Sequence, residues 1–209
     1  GPGIGADCDQ IFRDSPLRYI VNNLRYAFDW MARAPEVSVT TFASSGTLEE
    51  RGAAFLFLPW LGDHKGDAVF RALVQTNLRG IANVSSAAGE PFPQLFADFG
   101  ISLYTDSIPG LPRTAVPERY RFLSRNLRQL HARFEMLESP GNPAPYPIEP
   151  KPPAASGGRQ DRMGQGSMDW YLLDTPAGAS AVPLHLVRTD LRPLSAALVP
   201  QLGIFRLPD

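Results

Sequence analysis

The stretch from Thr47 to Leu61, TLEERGAAFLFLPWL, constrains this chain more than any other. It opens as a capping box, in which Thr47 accepts from the amide three residues on and Glu50 reaches back to the amide of Thr47. Ala53, Ala54, Phe55, Leu56, Phe57, Leu58, Trp60 and Leu61 follow, apolar on nearly every side. A helix of that kind must be surrounded by protein. It is too short to span a bilayer, which takes about 20 apolar residues. It therefore reads as the central buried helix of a mainly helical body. Pro59 sets a condition, because an interior proline removes one intrahelical bond, so the helix either bends there or ends there.

The rest of the front two thirds supplies partners for that helix. Ser15-Pro16 is a helix opening, with serine as cap and proline at the first helical position. Leu17, Ile20, Val21, Leu24, Ala27, Phe28 and Met31 then recur at three- and four-residue steps up to Pro35. Residues 37–42 are a short β-branched run. Asp67 is placed to cap a helix with Val69, Phe70, Leu73 and Val74 inward, ending at Gly80. Asn83 to Ala88 makes two turns stopped by Gly89, since glycine is the usual residue just past a helix end. Pro91-Phe92-Pro93 starts another, with Leu95, Phe96, Phe99 and Leu103 on one side. A loop over 105–117 leads to a segment from Arg119 to Glu138 that holds Phe122, Leu123, Leu127, Leu130 and Phe134 at helical spacing.

Beyond it the character changes. The chain carries 21 prolines, roughly twice the norm of ~5%, and many fall in a Pro/Gly/Ser stretch over 139–166 that reads as a linker. After it the period becomes two: Met168, Trp170 and Leu172 alternate with Asp169 and Tyr171, and Val182, Leu184 and Leu186 with Pro183 and His185. Leu194–Leu207 offers one or two more strands. The expected organisation is a helical subdomain over 7–138, the linker, and a small antiparallel β module over 167–209 docked on the helical body.

Composition narrows the function classes. With 44% hydrophobic and 20% charged residues the chain has material for a real core. A net charge of −1 disfavours a nucleic-acid binder, which carries a basic excess. Cys8 stands alone, so no internal disulfide can form. The opening Gly1-Pro2-Gly3 reads as a remnant of tag removal, and no stretch reads as a signal peptide or membrane span.

Chemistry-bearing motifs are sparse. The three histidines, His64, His131 and His185, lack HExxH spacing. His131 and Glu135 stand one helical turn apart and could share a face as a ligand pair, but a structural role fits them better. There is no G-x-S-x-G elbow, and Cys8 has no histidine near it in sequence. Glu49, Glu50 and Arg51 belong to the first turn of the central helix, where acidic groups complement the dipole; the alternative is that Glu49 or Arg51 lines a groove. The dense basic run Arg113, Arg119, Arg121, Arg125, Arg128 and Arg133, against Glu118, lacks the interleaved aromatics of a single-strand binder. It is expected to pair with acidic groups of the body or face solvent, with an anion or partner site as the alternative. No catalytic, cofactor-binding or metal-ligating residue is assigned.

The order of elements over 52–104 does resemble a known family. Gly52, Phe57, Leu61, Gly66, Leu73, Gly80, Asn83, Gly89, Phe92, Leu95, Phe96, Asp98 and Phe99 carry a similarity to the helical C-terminal subdomain of gluzincin metallopeptidases, in particular the hyicolysin-like secreted bacterial zinc peptidases. The likeness covers roughly residues 15–135 at the level of pattern. The tail from Gly166, GSMDWYLL, is similar to the β modules appended to such enzymes. The resemblance implies a secreted or cell-envelope location, zinc in the parent enzyme, and the N-terminal catalytic portion or a second copy as partner. The family's HExxH helix precedes this region and is absent here, so none of its zinc or catalytic residues transfers to any position. Such a part would form one wall of a substrate cleft and would not be catalytic alone. The rival expectation is a stand-alone interaction module that binds peptide or carbohydrate.

Overall fold

A computed structural model of the chain describes residues 17–40, 46–152, 161, 163, 165–173, 193 and 200–207. Six α-helices occur among them: α1 Leu17–Ala32, α2 Leu48–Lys65, α3 Ala68–Val74, α4 Gly80–Ala88, α5 Phe92–Thr105 and α6 Leu127–Glu138. Two 3-10 turns, Arg113–Ala115 and Glu118–Tyr120, interrupt the connection from α5 to α6.

Helix α2 starts as its sequence requires. The Thr47 hydroxyl accepts from the Glu50 amide at 3.2 Å, and the Glu50 carboxylate accepts from the Thr47 amide at 2.6 Å. Two orphan donors of the first turn are thereby satisfied. The helix neither stops at Pro59 nor breaks there, but runs on to Lys65. Its burial is one-sided: Gly52, Ala53, Leu56, Trp60 and Leu61 face the core, whereas Ala54 and Leu58 lie on the outside, Leu58 at 39% exposure. The sheath expected around this helix is therefore open along one edge.

On the inner side α1 approaches α2 closely enough that Gly52 has no room for a side chain. A Cβ there would lie 2.2 Å from the Tyr26 carbonyl carbon. From α1, Leu24, Ala27, Phe28, Trp30 and Met31 are buried, and so is Ala34 beyond its end. Trp30 was not among the expected core positions; its ring stacks on Phe99 of α5 at 6.1 Å. Phe99 meets Phe57 at 5.2 Å and Trp60 at 5.7 Å, which seats α5 on α2. The Trp60 indole N–H donates to the Ser102 hydroxyl at 2.8 Å, so the buried ring keeps its polar atom satisfied.

Helices α3 and α4 are peripheral. Only Val69 of α3 is buried, and Val74 is 80% exposed. The expected α3 continued to Gly80, yet the helix stops at Val74 and Gly80 opens α4 instead. Gly89 ends α4 in the left-handed conformation, φ 66°, as the sequence indicated. The long helix expected over 119–138 is shortened to α6. Ahead of Leu127, residues 121–125 are non-helical because their backbone groups bond elsewhere: the amides of Leu123 and Ser124 donate to Asp63, and the carbonyls of Phe122 and Arg125 accept from Arg113.

The antiparallel β module expected over 167–209 is not shown: no strand occurs among the described residues, and one parallel bridge joins Lys151 to Tyr171. The alternation in MDWYLL does not carry over into burial: Ser167 and Met168 are both buried, the Asp169 carboxylate is enclosed in its pair with Lys151, and Leu172 is exposed. Met168 is buried and Trp170 half-buried against the helical body, where the Trp170 N–H donates to the Gly100 carbonyl at 2.8 Å. The Met168 amide donates to Ala34 at 3.1 Å, and the Val39 amide to Gly166 at 2.9 Å. Residues 200–207 likewise carry no strand, with Phe205 edge-on to Tyr120 at 5.9 Å. The strand expected around Val182–Leu186 lies outside the described residues.

Candidate functional site

A groove of about 480 Å³ lies between the end of α5, the start of α6 and the chain that follows α6. Tyr104, Ile108, Pro109, Arg128, Tyr146 and Ile148 form most of its wall, with Glu149 also lining it.

Three local devices hold these residues in place. First, Asp106 caps two elements at once from a fully buried position. Its carboxylate accepts from the Leu127 amide at 2.6 Å, at the first residue of α6, and lies 3.4 Å from the Arg113 guanidinium. Burial pushes the Asp106 carboxyl above its ordinary range, against the pull of the Leu127 amide and of Arg113. Second, Ser107 takes a positive φ of 58°, which turns the chain sharply into Ile108 and Pro109. Third, residues 139–152, expected as part of a Pro/Gly/Ser linker, return along the body. The Tyr146 hydroxyl donates to the Leu103 carbonyl at 2.6 Å, the Ala144 amide donates to Glu135 at 2.9 Å, and Ile148 is buried. Burial raises the Tyr146 phenol well beyond its ordinary pKa, so it remains a neutral donor.

Arg128 is the polar centre of the groove. Its guanidinium carbon lies 4.0 Å from the Tyr146 ring centroid and 5.5 Å from that of Tyr104, and one NH₂ group donates to the Tyr104 carbonyl at 2.8 Å. Stacking of this kind holds a planar cation in one orientation.

The other arginines of the basic run are mostly consumed within the body. Arg119 pairs with buried Asp98, Arg121 with Glu118 at 3.2 Å, and Arg113 with Asp106. Arg125 and Arg133 line a smaller hollow of about 150 Å³ with Asn126, whose side chain is occupied in capping α6. Of the acidic pair, Glu50 serves the cap, and Glu49 pairs with Arg33 at 2.9 Å. Hydrogen bonds from its own backbone amide and from Thr47, with the Arg33 charge, hold the Glu49 carboxyl below its ordinary value. Arg51 is exposed.

His131 and Glu135 do share a face, 3.8 Å apart. His131 is enclosed edge-on by Phe28 and Tyr146, and burial lowers its pKa, so it is a neutral packing residue beneath the groove. His64 rests on the Trp60 ring and bonds the Arg121 carbonyl at 3.1 Å; burial lowers its pKa too. Among the described residues no group of three or more His, Cys, Asp or Glu side chains could hold a metal. Cys8 and His185 lie outside the described residues. No helix among those residues is long and apolar enough to cross a membrane.

Sequence reasoning missed the groove because its walls come from four separate segments, each ordinary alone. Arg128 was noticed only as one of six arginines. A comparison with family models, with curated proteins and with solved structures finds no match.

Proposed function

We propose that this chain is the helical cleft-wall part of a secreted zinc metallopeptidase of the gluzincin kind, a supporting piece that does not cut peptide bonds by itself. The observation that carries this reading is a set of apolar side chains left exposed on α2 and α3. Leu58 and Phe70 are both exposed and lie near one another, since a Cβ on Gly62, one turn past Leu58, would meet the Phe70 ring at 2.5 Å, and Leu48 is exposed at the start of α2. Val74, Leu78 and Ile81 extend the exposed apolar surface further along the chain. An extensive apolar patch on a soluble body marks a surface that another chain or domain covers. In this reading its cover is the N-terminal portion bearing the zinc helices. The helix order over 52–104 supports the family choice.

Two measurements test it. The reading frame upstream of Gly5 should encode HExxH followed by a glutamate-bearing helix. The purified 209-residue chain should neither carry stoichiometric zinc nor cleave casein. An upstream frame without HExxH, or zinc and activity in this chain alone, refutes the proposal.

The groove favours a second reading, a stand-alone peptide-binding module, because its walls are complete within the described residues. Saturable peptide binding by the chain, together with no HExxH upstream, selects that reading.

A further inference from the structure

The groove presents a cation, Arg128, with Glu149 in the same lining. Among the described residues no carboxylate forms an ion pair with Arg128; Asp106, whose field reaches it, is itself engaged with Arg113 and the Leu127 amide. Two tyrosine rings and the Tyr104 carbonyl hold the guanidinium in place, so little side-chain freedom is lost when a ligand meets it. Beside it lie apolar walls, Ile108, Pro109 and Ile148, with Glu149 also in the lining.

We propose that this groove binds the C-terminal carboxylate of an extended peptide, pairing it with Arg128 and resting the final side chains on Ile108, Pro109 and Ile148. Three features choose this ligand. A carboxylate can accept from the guanidinium Nη1, since Nη2 donates to the Tyr104 carbonyl and Nε is buried. One cation with a glutamate nearby suits a monoanion, whereas phosphorylated ligands are met by arginine clusters. A volume of about 480 Å³ falls in the 300–1,000 Å³ range of small-ligand pockets and has room for a chain end. The site stands under either reading above, as a substrate-tail site on a cleft wall or as the binding site of an independent module. It can therefore fail without the peptidase proposal failing, and the upstream reading frame decides the latter separately.

The test is an NMR titration of the 209-residue chain with N-acetyl-Ala-Pro-Leu, once as the free carboxylate and once as the C-terminal amide. The carboxylate should give saturable shifts at Tyr104, Arg128 and Tyr146 and bind at least about tenfold more tightly than the amide. Glu149→Gln should tighten binding by about two- to fivefold, by removing a like charge from the lining. Arg128→Gln, with its fold checked by circular dichroism, should abolish the preference for the carboxylate. Because the two ligands are compared on the unaltered protein, the outcome does not depend on whether that variant folds. Equal affinity for carboxylate and amide, or no saturable shift up to about 10 mM, a range equivalent to less than about 3 kcal/mol of binding, overturns the proposal.

Discussion

Gly52→Ala separates the packing account of α2 from a purely local one. Helix propensity alone favours the substitution by about 1 kcal/mol, because alanine loses less backbone entropy in a helix interior. The structure reverses that sign. The new Cβ would sit 2.2 Å from the Tyr26 carbonyl carbon and 2.3 Å from the Ala27 amide nitrogen, both backbone atoms that no rotamer change can move. Ordinary carbon contacts lie near 3.5–4.0 Å, so α1 and α2 must part by more than about 1 Å. Parting them loosens Ala27, Ala53 and Leu56, all buried in the same seam. Overpacking of this kind costs about 1–3 kcal/mol beyond the propensity gain, and because only backbone must move here we expect a net loss of about 2 kcal/mol. For a chain of this size that is a fall in Tm of roughly 4–8 °C. Gly100→Ala is the control: its Cβ would meet only the flexible end of the Met168 side chain, the sulfur at 3.4 Å and the methyl at 3.7 Å. It should gain up to about 1 kcal/mol. Urea denaturation followed by far-UV circular dichroism reads both variants. A Gly52→Ala protein as stable as the parent, or stabilised like Gly100→Ala, refutes the close approach.

The remaining predictions use other parts of the body. Thr47→Ala should lower stability by about 1 kcal/mol and Thr47→Ser by much less, because serine keeps the cap acceptor; equal losses in urea melts would remove the capping box from the account. Burial lowers the pKa of both His64 and His131 below the ordinary 6.5, so each contributes stability that is fully present above that value and is lost as pH falls through the lowered folded value. The urea midpoint should therefore drop between pH 7 and pH 5, and the combined variant His64→Gln, His131→Gln should show a flatter profile; an unchanged slope contradicts neutral burial. Trp170→Ala should speed hydrogen exchange of the Met168 and Val39 amides, which depend on the docked tail, and leave the amides of α2 unaffected. Unaltered protection at those two amides would show that the indole does not hold the segment.

Much of the helical body was legible wherever a local signal and burial agreed. The Thr47–Glu50 clasp, Gly89 in its left-handed turn and the Leu95, Phe99, Leu103 face of α5 are such cases. Legibility failed where apolar spacing had more than one use. Phe122 and Leu127 are both fully buried, so a helical reading of 119–138 placed them correctly, yet Asp63 and Arg113 claim the intervening backbone and keep it out of the helix. Val74 fits a helical face but points outward, because that side of α3 has nothing to pack against among the described residues. The alternation at Met168 and Trp170 picked out two residues that pack on the body but failed as a strand and as a period-two burial pattern, since Ser167 and the Asp169 side chain are buried as well and Leu172 is exposed. The groove was the least legible feature. Tyr104, Arg128 and Tyr146 meet only through the buried Asp106 and the return of the chain after α6, and neither leaves a local trace.

The groove is held by α5, and α5 by α2, so the central claim is that α2 is the rigid spine of the body. Native-state hydrogen exchange tests it most directly. The amides from Ala53 to Leu61 should exchange only through global unfolding, with opening free energies equal to the stability measured in urea. Exchange of those amides at distinctly lower free energies, while α5 and α6 stay protected, would show that the body is organised around something else.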